Sequence, residues 1–435
     1  MPSRSTVSAA PFQPSRRSLL AGAAAGAAAG AALVGVSDAP RARAAESKKG
    51  GADRHVHYTS WSGADLVFGP FDRTVDYTDP HDTVATPVTY EVATWTSPVV
   101  TPGFGLTELV ASWNAATPGG SWVEVRVRGT NAGTTTKDYV LGRWASEDPA
   151  DGGGIHRTSV AGQGDTVATV FTDTLATRTG YALTDWQLEV RLLRPRGTSD
   201  TPSVSVVGAM ASTLPDAKKV PRSPNGPACG TTLDVPTYSQ EVHVGHYPQW
   251  DNGGEAWCSP TSTSMVVAYW GAGPTASETA WVDPPVDAQV DFTARHVFDY
   301  TYDGAGNWPF NTAYAATRAD LRGFVTRLRS LTEAEAFIAA GIPLVVSVSF
   351  KKGELTGAGY GTNGHLMVVV GFTPSGDVVC NDPASHLVAS DDRVRVVYDR
   401  EQFENVWVPH SGGIVYVIRP ADRPLPPAPA HEPNW

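Results

Sequence analysis

The chain is short of cysteine, of basic side chains and of long apolar runs, and each shortage excludes something. Three cysteines among 435 residues leave one thiol unpaired even if the other two bridge. Lysine and arginine number 33 against 44 acids, a net charge of −11. With so little positive charge to neutralise phosphates, a nucleic-acid partner is excluded. Beyond the N-terminal segment no run is long and apolar enough to cross a bilayer, so no membrane partner is expected of the mature chain. Between His55 and Ala211 no convincing amphipathic helix appears either. What the chain has in quantity is turn residues, 43 glycines and 34 prolines, which point to β-rich architecture. At 435 residues it is too long for one ordinary core, so two or three domains are expected.

The first 44 residues read as an export signal. Ser15-Arg16-Arg17-Ser18-Leu19-Leu20 is a twin-arginine pattern, a weakly apolar Ala/Gly stretch follows, and Ala42-Arg43-Ala44 offers a cleavage site. Cleavage removes five arginines and Asp38, leaving 28 basic and 43 acidic side chains. The expected location is extracellular. Residues 45–54 read as a flexible leader.

From 55 to 212 the pattern has period two. Val123, Val125 and Val127 alternate with Trp122, Glu124, Arg126 and Arg128. Leu188, Val190 and Leu192 alternate with Gln187, Glu189 and Arg191, and Val204 with Val206 closes the series. This predicts an all-β sandwich of jelly-roll type. A Pro/Lys/Arg-rich linker spans 213–228, and a second, α+β domain spans 229–419. There a helix follows Cys258, and Thr332 with Glu335 predicts a capping box for another. Strands are predicted at 344–350, 366–372, 378–380, 394–398 and 414–418. The tail, 420–435, is Pro-rich and reads as loose.

The chemistry concentrates around Trp257-Cys258-Ser259-Pro260-Thr261-Ser262. Cys258 stands one residue ahead of a predicted helix start, with Ser259 to Ser262 as N-cap and first turn. A thiol there faces unsatisfied backbone N–H groups and the positive end of the helix dipole, which favour a thiolate nucleophile. His365, between Gly364 and an apolar strand, is the expected base; His243 and His246 are rivals on a Gly/Pro loop. Asp382, on the return strand, is the expected orienter of the imidazole, with Asn381 as alternative because strand alternation lets only one of the two face His365. The second oxyanion donor, beside the Cys258 backbone N–H, is Gln240 or Gln249. Cys229 and Cys380 are the pair left for a disulfide.

The segments Val-Pro-x-Tyr-Ser-Gln (235–240), Trp-Cys-Ser-Pro-Thr-Ser (257–262), Gly-His-Leu-Met-Val-Val-Val-Gly-Phe (364–372) and Asn-Asp-Pro-Ala (381–384) resemble the papain-like family that includes the bacteriocin-processing, double-glycine-leader cysteine peptidases, and more closely its secreted actinobacterial relatives. The resemblance covers roughly 233–418. It implies a papain-like cysteine peptidase domain with a peptide or protein substrate, a Cys258–His365–Asp382 triad, Gln240 as oxyanion donor, and no cofactor. Gln240 stands farther from Cys258 than is usual in that family, since 243–254 looks like an insertion, which keeps Gln249 in play. No transporter segments accompany the domain, so a leader-peptide substrate does not carry over.

Trp250, Trp257, Trp281, Trp308 and Tyr360 could line a groove, although core packing explains most of them. Neither Asp251, Glu255 and His246 nor Asp299, Asp303 and Asn307 fit a metal-ligand spacing, so no metal is expected. The same triad would also serve a cell-wall peptide amidase or transpeptidase. A third reading is a glycan- or cell-wall-binding protein whose sandwich exposes Trp61, Trp95, Trp113 and Trp144 and whose catalytic domain is vestigial.

Overall fold

The alternation read along the N-terminal half is realised as strands. In the computed structural model, which describes residues 53–216 and 218–435, eleven strands precede residue 214: β1 (His55–Ser62), β2 (Arg73–Tyr77), β3 (Val88–Thr96), β4 (Glu108–Ala116), β5 (Trp122–Asn131), β6 (Thr134–Thr135), β7 (Tyr139–Trp144), β8 (Ala168–Phe171), β9 (Thr174–Thr177), β10 (Asp185–Pro195) and β11 (Ser203–Thr213). They form two antiparallel sheets, ordered β1-β11-β4-β9-β8 and β2-β3-β10-β5-β6, with β7 also paired to β5. Val123, Val125 and Val127 share one core cluster with Leu188, Val190 and Leu192 from the same sheet and with Leu109, Trp113 and Leu175 from the other. Burial of these alternate side chains is what holds the two sheets together.

Two details depart from the sequence pattern. A bulge in the pairing of β11 with β4 falls between Val204 and Val206, so Val207 and Ala209, rather than Val206, take the core positions. The polar face of β5 is not simply solvated either. Glu124 is buried beneath Arg126 at 2.6 Å, Arg143 at 2.8 Å and Arg191 at 3.6 Å.

The C-terminal half mixes helices with a six-stranded antiparallel sheet. Its elements are α1 (Cys258–Tyr269), α2 (Ala288–Val297), α3 (Trp308–Ala315), β12 (Leu321–Arg327), α4 (Leu331–Ala339), β13 (Leu344–Phe350), β14 (Thr362–Phe372), β15 (Val378–Asn381), β16 (Arg395–Tyr398), α5 (Arg400–Ser411) and β17 (Ile414–Pro420). The sheet order is β12-β17-β13-β14-β15-β16. Alternate residues of β14 serve two cores. Leu366, Val368 and Val370 pack with Met265 and Val266 of α1. Met367 and Val369 pack with Phe337 of α4 and Phe403 of α5. The helix after Ser330 is capped by the Ser330 hydroxyl, which accepts from the Glu333 N–H, two residues earlier than Thr332 and Glu335 suggest. Glu335 is instead fully buried and paired with Arg400 at 2.8 Å.

The two halves share a core. Phe310 of α3 packs its ring against Trp113 at 6.1 Å and Trp144 at 5.4 Å between ring centroids. Gly142 permits this approach, since a Cβ there would stand 2.8 Å from Trp113 and 3.1 Å from Phe310. Asn114 donates to the Gly323 carbonyl at 2.7 Å, and the Ser112 hydroxyl accepts from the Val325 N–H at 2.8 Å, joining β4 to β12.

Neither connecting segment is free. In 213–228, the Ser223 N–H donates to Glu404 at 2.8 Å, and the N–H groups of Gly226 and Ala228 donate to Glu335 at 2.8 and 3.0 Å. The Pro-rich tail, expected to be loose, is docked. The Pro433 carbonyl accepts from the Tyr58 N–H at 2.8 Å, Asn434 is buried and donates to the Arg327 carbonyl at 2.8 Å, and Trp435 packs on Phe337. The tryptophans proposed as a sugar platform are also accounted for by packing. Trp95, Trp113 and Trp144 are buried, and half-buried Trp61 lies edge-on to Trp95 and Trp186. The twin-arginine segment and most of the leader lie outside the described residues. Among the described residues no helix is long and apolar enough to cross a membrane.

Candidate active site

Cys258 is the first residue of α1, not the residue before it; Trp257 is the N-cap and Ser259 to Ser262 lie inside the helix. The helix is buried from Cys258 to Val267, so its hydroxyls need protein partners. Ser259 meets the Tyr416 hydroxyl at 2.9 Å, Ser262 donates to the Leu366 carbonyl at 3.0 Å, and Thr263 donates to Asn311 at 3.1 Å. Ser264 meets the Thr293 hydroxyl at 2.8 Å. The serine- and threonine-rich run therefore anchors the helix to β17, β14, α3 and α2, and fixes where the sulfur stands. Pro260 needs no hydrogen-bond acceptor, since first-turn N–H groups have none within the helix.

His365 stands on β14 opposite Val348 of β13. Its Nε2 lies 2.8 Å from Oδ1 of Asp382, and Cys258 is near enough to the ring to raise its basicity. With Nε2 committed to the carboxylate, Nδ1 is the ring nitrogen left for the thiol. Burial lowers the basicity of this imidazole; the Asp382 charge and hydrogen bond, with the Cys258 contact, outweigh it and push the pKa up to about 10.

Asp382 is fully buried. It accepts from Tyr360 at 2.8 and 3.0 Å, from Tyr398 at 2.7 Å and from the Ala384 N–H at 3.0 Å, besides His365. Burial favours its neutral form; the His365 charge and these donors hold it below the usual carboxylate range. Both phenols stay neutral donors, since burial and the Asp382 charge push their ionisation up. No sequence signal singles out Tyr398, and Tyr360 reads as a groove candidate; in the structure both brace the carboxylate.

Strand alternation separates the two orienter candidates. Asn381 pairs with Val368, on the face that packs against α1. Its amide donates to the Pro236 carbonyl at 3.0 Å, and its Oδ1 accepts from Arg395 at 3.0 Å. Asp382, the next residue, lies with His365. Asn381 braces the 235–236 segment and does not meet the imidazole.

Gln240 begins the single helical turn Gln240–His243 and is buried. Its backbone N–H donates to the Pro383 carbonyl at 3.0 Å, which ties the turn to the Asp382 loop. Its Nε2 donates to the Glu255 carbonyl at 2.9 Å, three residues before Cys258. The close approach of the two segments depends on Gly254, where a Cβ would stand 2.3 Å from the Gln240 carbonyl oxygen. Gln249 is exposed in the turn that follows Tyr247, so the insertion carries it away from the buried centre. Glu241 is half-buried beside these groups; burial and then the Glu255 charge raise its pKa.

The anticipated Cys229–Cys380 bridge is absent, and all three thiols are free. Cys229 points its sulfur to Glu335 at 3.6 Å, while Cys380, paired with Val369 of β14 and Val396 of β16, is packed in the core. Of the groove candidates, Trp257 and Trp308 are buried, and Trp250 and Trp281 are half-buried, pack against the Tyr247 ring and lie under the Arg295 guanidinium. Asp299 is a buried loop anchor, accepting from the Ser159 N–H at 2.9 Å and from Asn307 at 2.9 Å.

A buried cysteine at a helix start, near an imidazole that is hydrogen-bonded to a buried carboxylate, is a constellation suited to hydrolase chemistry. Residues 40–212 match the family model described as Peptidase C39 N-terminal domain, and residues 232–414 match the Peptidase C39 like family. The chain belongs to the C39-like peptidase family, and its N-terminal half belongs to that architecture as well. Among solved structures it is similar to a protein from Bacillus anthracis described as a candidate C39-like peptidase, at 19% identity and a TM-score of 0.28, over 43% of this chain and 96% of that one. Among curated proteins none matches.

Proposed function

We propose that this protein is an exported cysteine peptidase that cleaves peptide bonds through a Cys258–His365–Asp382 triad and a thioester intermediate. In this reading the N-terminal half is a jelly-roll-type sandwich, the C-terminal half is papain-like, and the twin-arginine segment directs export. The observation that carries the proposal is His365, hydrogen-bonded to the buried Asp382 and made more basic by Cys258 beside it. The Cys258 sulfur gives its proton to Nδ1 of His365 and attacks the carbonyl carbon. The oxyanion that forms takes hydrogen bonds from the Cys258 N–H and the second Gln240 amide hydrogen. His365 then protonates the departing amine, the C–N bond breaks, and the acyl group remains as a thioester. Water, deprotonated by the same imidazole, attacks the thioester, and the carboxylic product leaves as the thiol is restored. Asp382 stays ionised and fixes the ring's orientation.

The test is Cys258→Ala on the mature protein, with denatured protein and muropeptides as parallel substrates. Loss of turnover with an unchanged thermal transition is expected, together with labelling of Cys258 by a thiol-directed epoxide that His365→Ala suppresses. A variant with normal turnover sinks the proposal. Turnover confined to muropeptides moves the substrate to cell-wall peptides.

A further inference from the structure

The insertion between Gln240 and Cys258 carries a second constellation, which the sequence spacing hides because its third member lies on α2. His243 closes the Gln240 turn and is fully buried; His246 follows on the loop; Asp291 is fully buried on α2. One donor atom from each lies within 4.8 Å of the others. His246 Nδ1 is 3.0 Å from Asp291 Oδ1, and His243 Nδ1 is 3.0 Å from Asp291 Oδ2. The two imidazoles stand edge to face, with an interplanar angle of 89°.

Ordinary hydrogen bonding accounts for only half of this. His246 and Asp291 Oδ1 are hydrogen-bonded. Neither ring nitrogen of His243, nor Asp291 Oδ2, has a hydrogen-bond partner among the described residues. Buried groups of this kind are nearly always satisfied. Two facing atoms 3.0 Å apart that do not hydrogen-bond stand near the spacing of neighbouring ligands in a coordination sphere, where bonds of about 2.0–2.2 Å place them roughly 3.0–3.6 Å apart, depending on coordination number. Two imidazole nitrogens and one carboxylate form a donor set suited to zinc or a similar borderline divalent cation.

We infer that His243, His246 and Asp291 bind a zinc-class divalent cation that clamps the insertion and the Gln240 turn to α2. The clamp holds the turn that bears Gln240 while leaving the thiol–imidazole chain untouched. The site rests on its own geometry and stands whether or not the triad cleaves peptides.

The experiment uses the mature full chain with Cys258→Ser, so that the reactive thiol does not bind metal. Metal-free protein is titrated with Zn2+ and with Co2+, read by bound-metal stoichiometry, visible absorption of cobalt and the thermal transition. One equivalent should bind, with cobalt bands of nitrogen and oxygen ligation and a rise in Tm on adding zinc. His246→Ala, at the half-buried ligand, should weaken binding at least tenfold and abolish the Tm rise while the chain remains folded; Asp291→Asn should do the same. Substoichiometric zinc without a Tm shift overturns the assignment. So does cobalt bound with thiolate charge-transfer absorption, or binding unaffected by His246→Ala.

Discussion

Nε2 of His365 and Oδ1 of Asp382 lie 2.8 Å apart although 17 residues separate them in the chain. The intervening turn and antiparallel pairing of β14 with β15 make the contact, and Tyr360 and Tyr398 hold the carboxylate in place from its other side. A carboxylate this deeply buried needs all of these donors. Its pairing with His365 is therefore as much a constraint on folding as on chemistry.

Asp382→Asn should lower kcat/KM by roughly 10²–10⁴-fold, because the ring loses the partner that fixes its protonated nitrogen. The His365 pKa should fall from about 10 towards the ordinary histidine range. Titration of the ring by NMR checks the shift, and steady-state kinetics check the loss. Asp382→Ala, which strands two buried phenols and an imidazole, should cost about 3–5 kcal/mol in urea unfolding.

Stability should decline on both sides of neutrality, for opposite reasons. His365 has a folded pKa raised to about 10, so its contribution is complete below the unfolded value near 6.5 and is lost as pH climbs through about 10. Asp382 has a lowered folded pKa, so its contribution is present above the unfolded value near 3.9 and is lost as pH falls through the folded one. Unfolding free energies measured across pH should show both limbs. Tyr398→Phe, which removes a donor to the carboxylate, should shrink the acid limb and cost about 1.5–3 kcal/mol at neutral pH.

Gln240 and Gln249 should behave differently. Gln240→Ala removes the buried amide beside Cys258 and should reduce kcat by roughly 10²–10³-fold, with KM changed far less. Gln249→Ala, at an exposed turn, should leave both constants alone. Equal losses in the two variants would reverse the assignment of the donor.

Phe310→Ala should destabilise the whole molecule by about 3–5 kcal/mol. Its ring lies against Trp113 and Trp144, so the cavity opens between the two halves. Calorimetry should still record one cooperative transition, at lower temperature. Two separated transitions in the native protein would mean that the halves unfold independently.

Local pattern carried far in this chain. Alternation in 122–128 and 187–192 was enough for the paired strands, because a strand buried on one face must alternate. Strand 414–418 was equally legible as an uninterrupted apolar run, and 344–350 as an apolar run broken only by Ser347 and Ser349. The bulge at Val206, the Ser330 cap and the docking of the Pro-rich tail were not, since each is decided by a partner distant in sequence. The same holds for Glu335, which looks like a capping residue until Arg400 is placed beside it.

By itself the sequence determined the chemistry available: a thiol at a helix start, a histidine at the head of an apolar strand, and an Asn-Asp pair on the next one. Only the tertiary structure decided between Asn381 and Asp382, because register fixes which face each side chain takes. It also buried three of the four tryptophans read as a sugar platform, freed Cys229 and Cys380 from each other, and brought Asp291 to His243 and His246. Residue type sets what a group can do. Which groups meet is set by packing between elements far apart in the chain, and no local pattern records it.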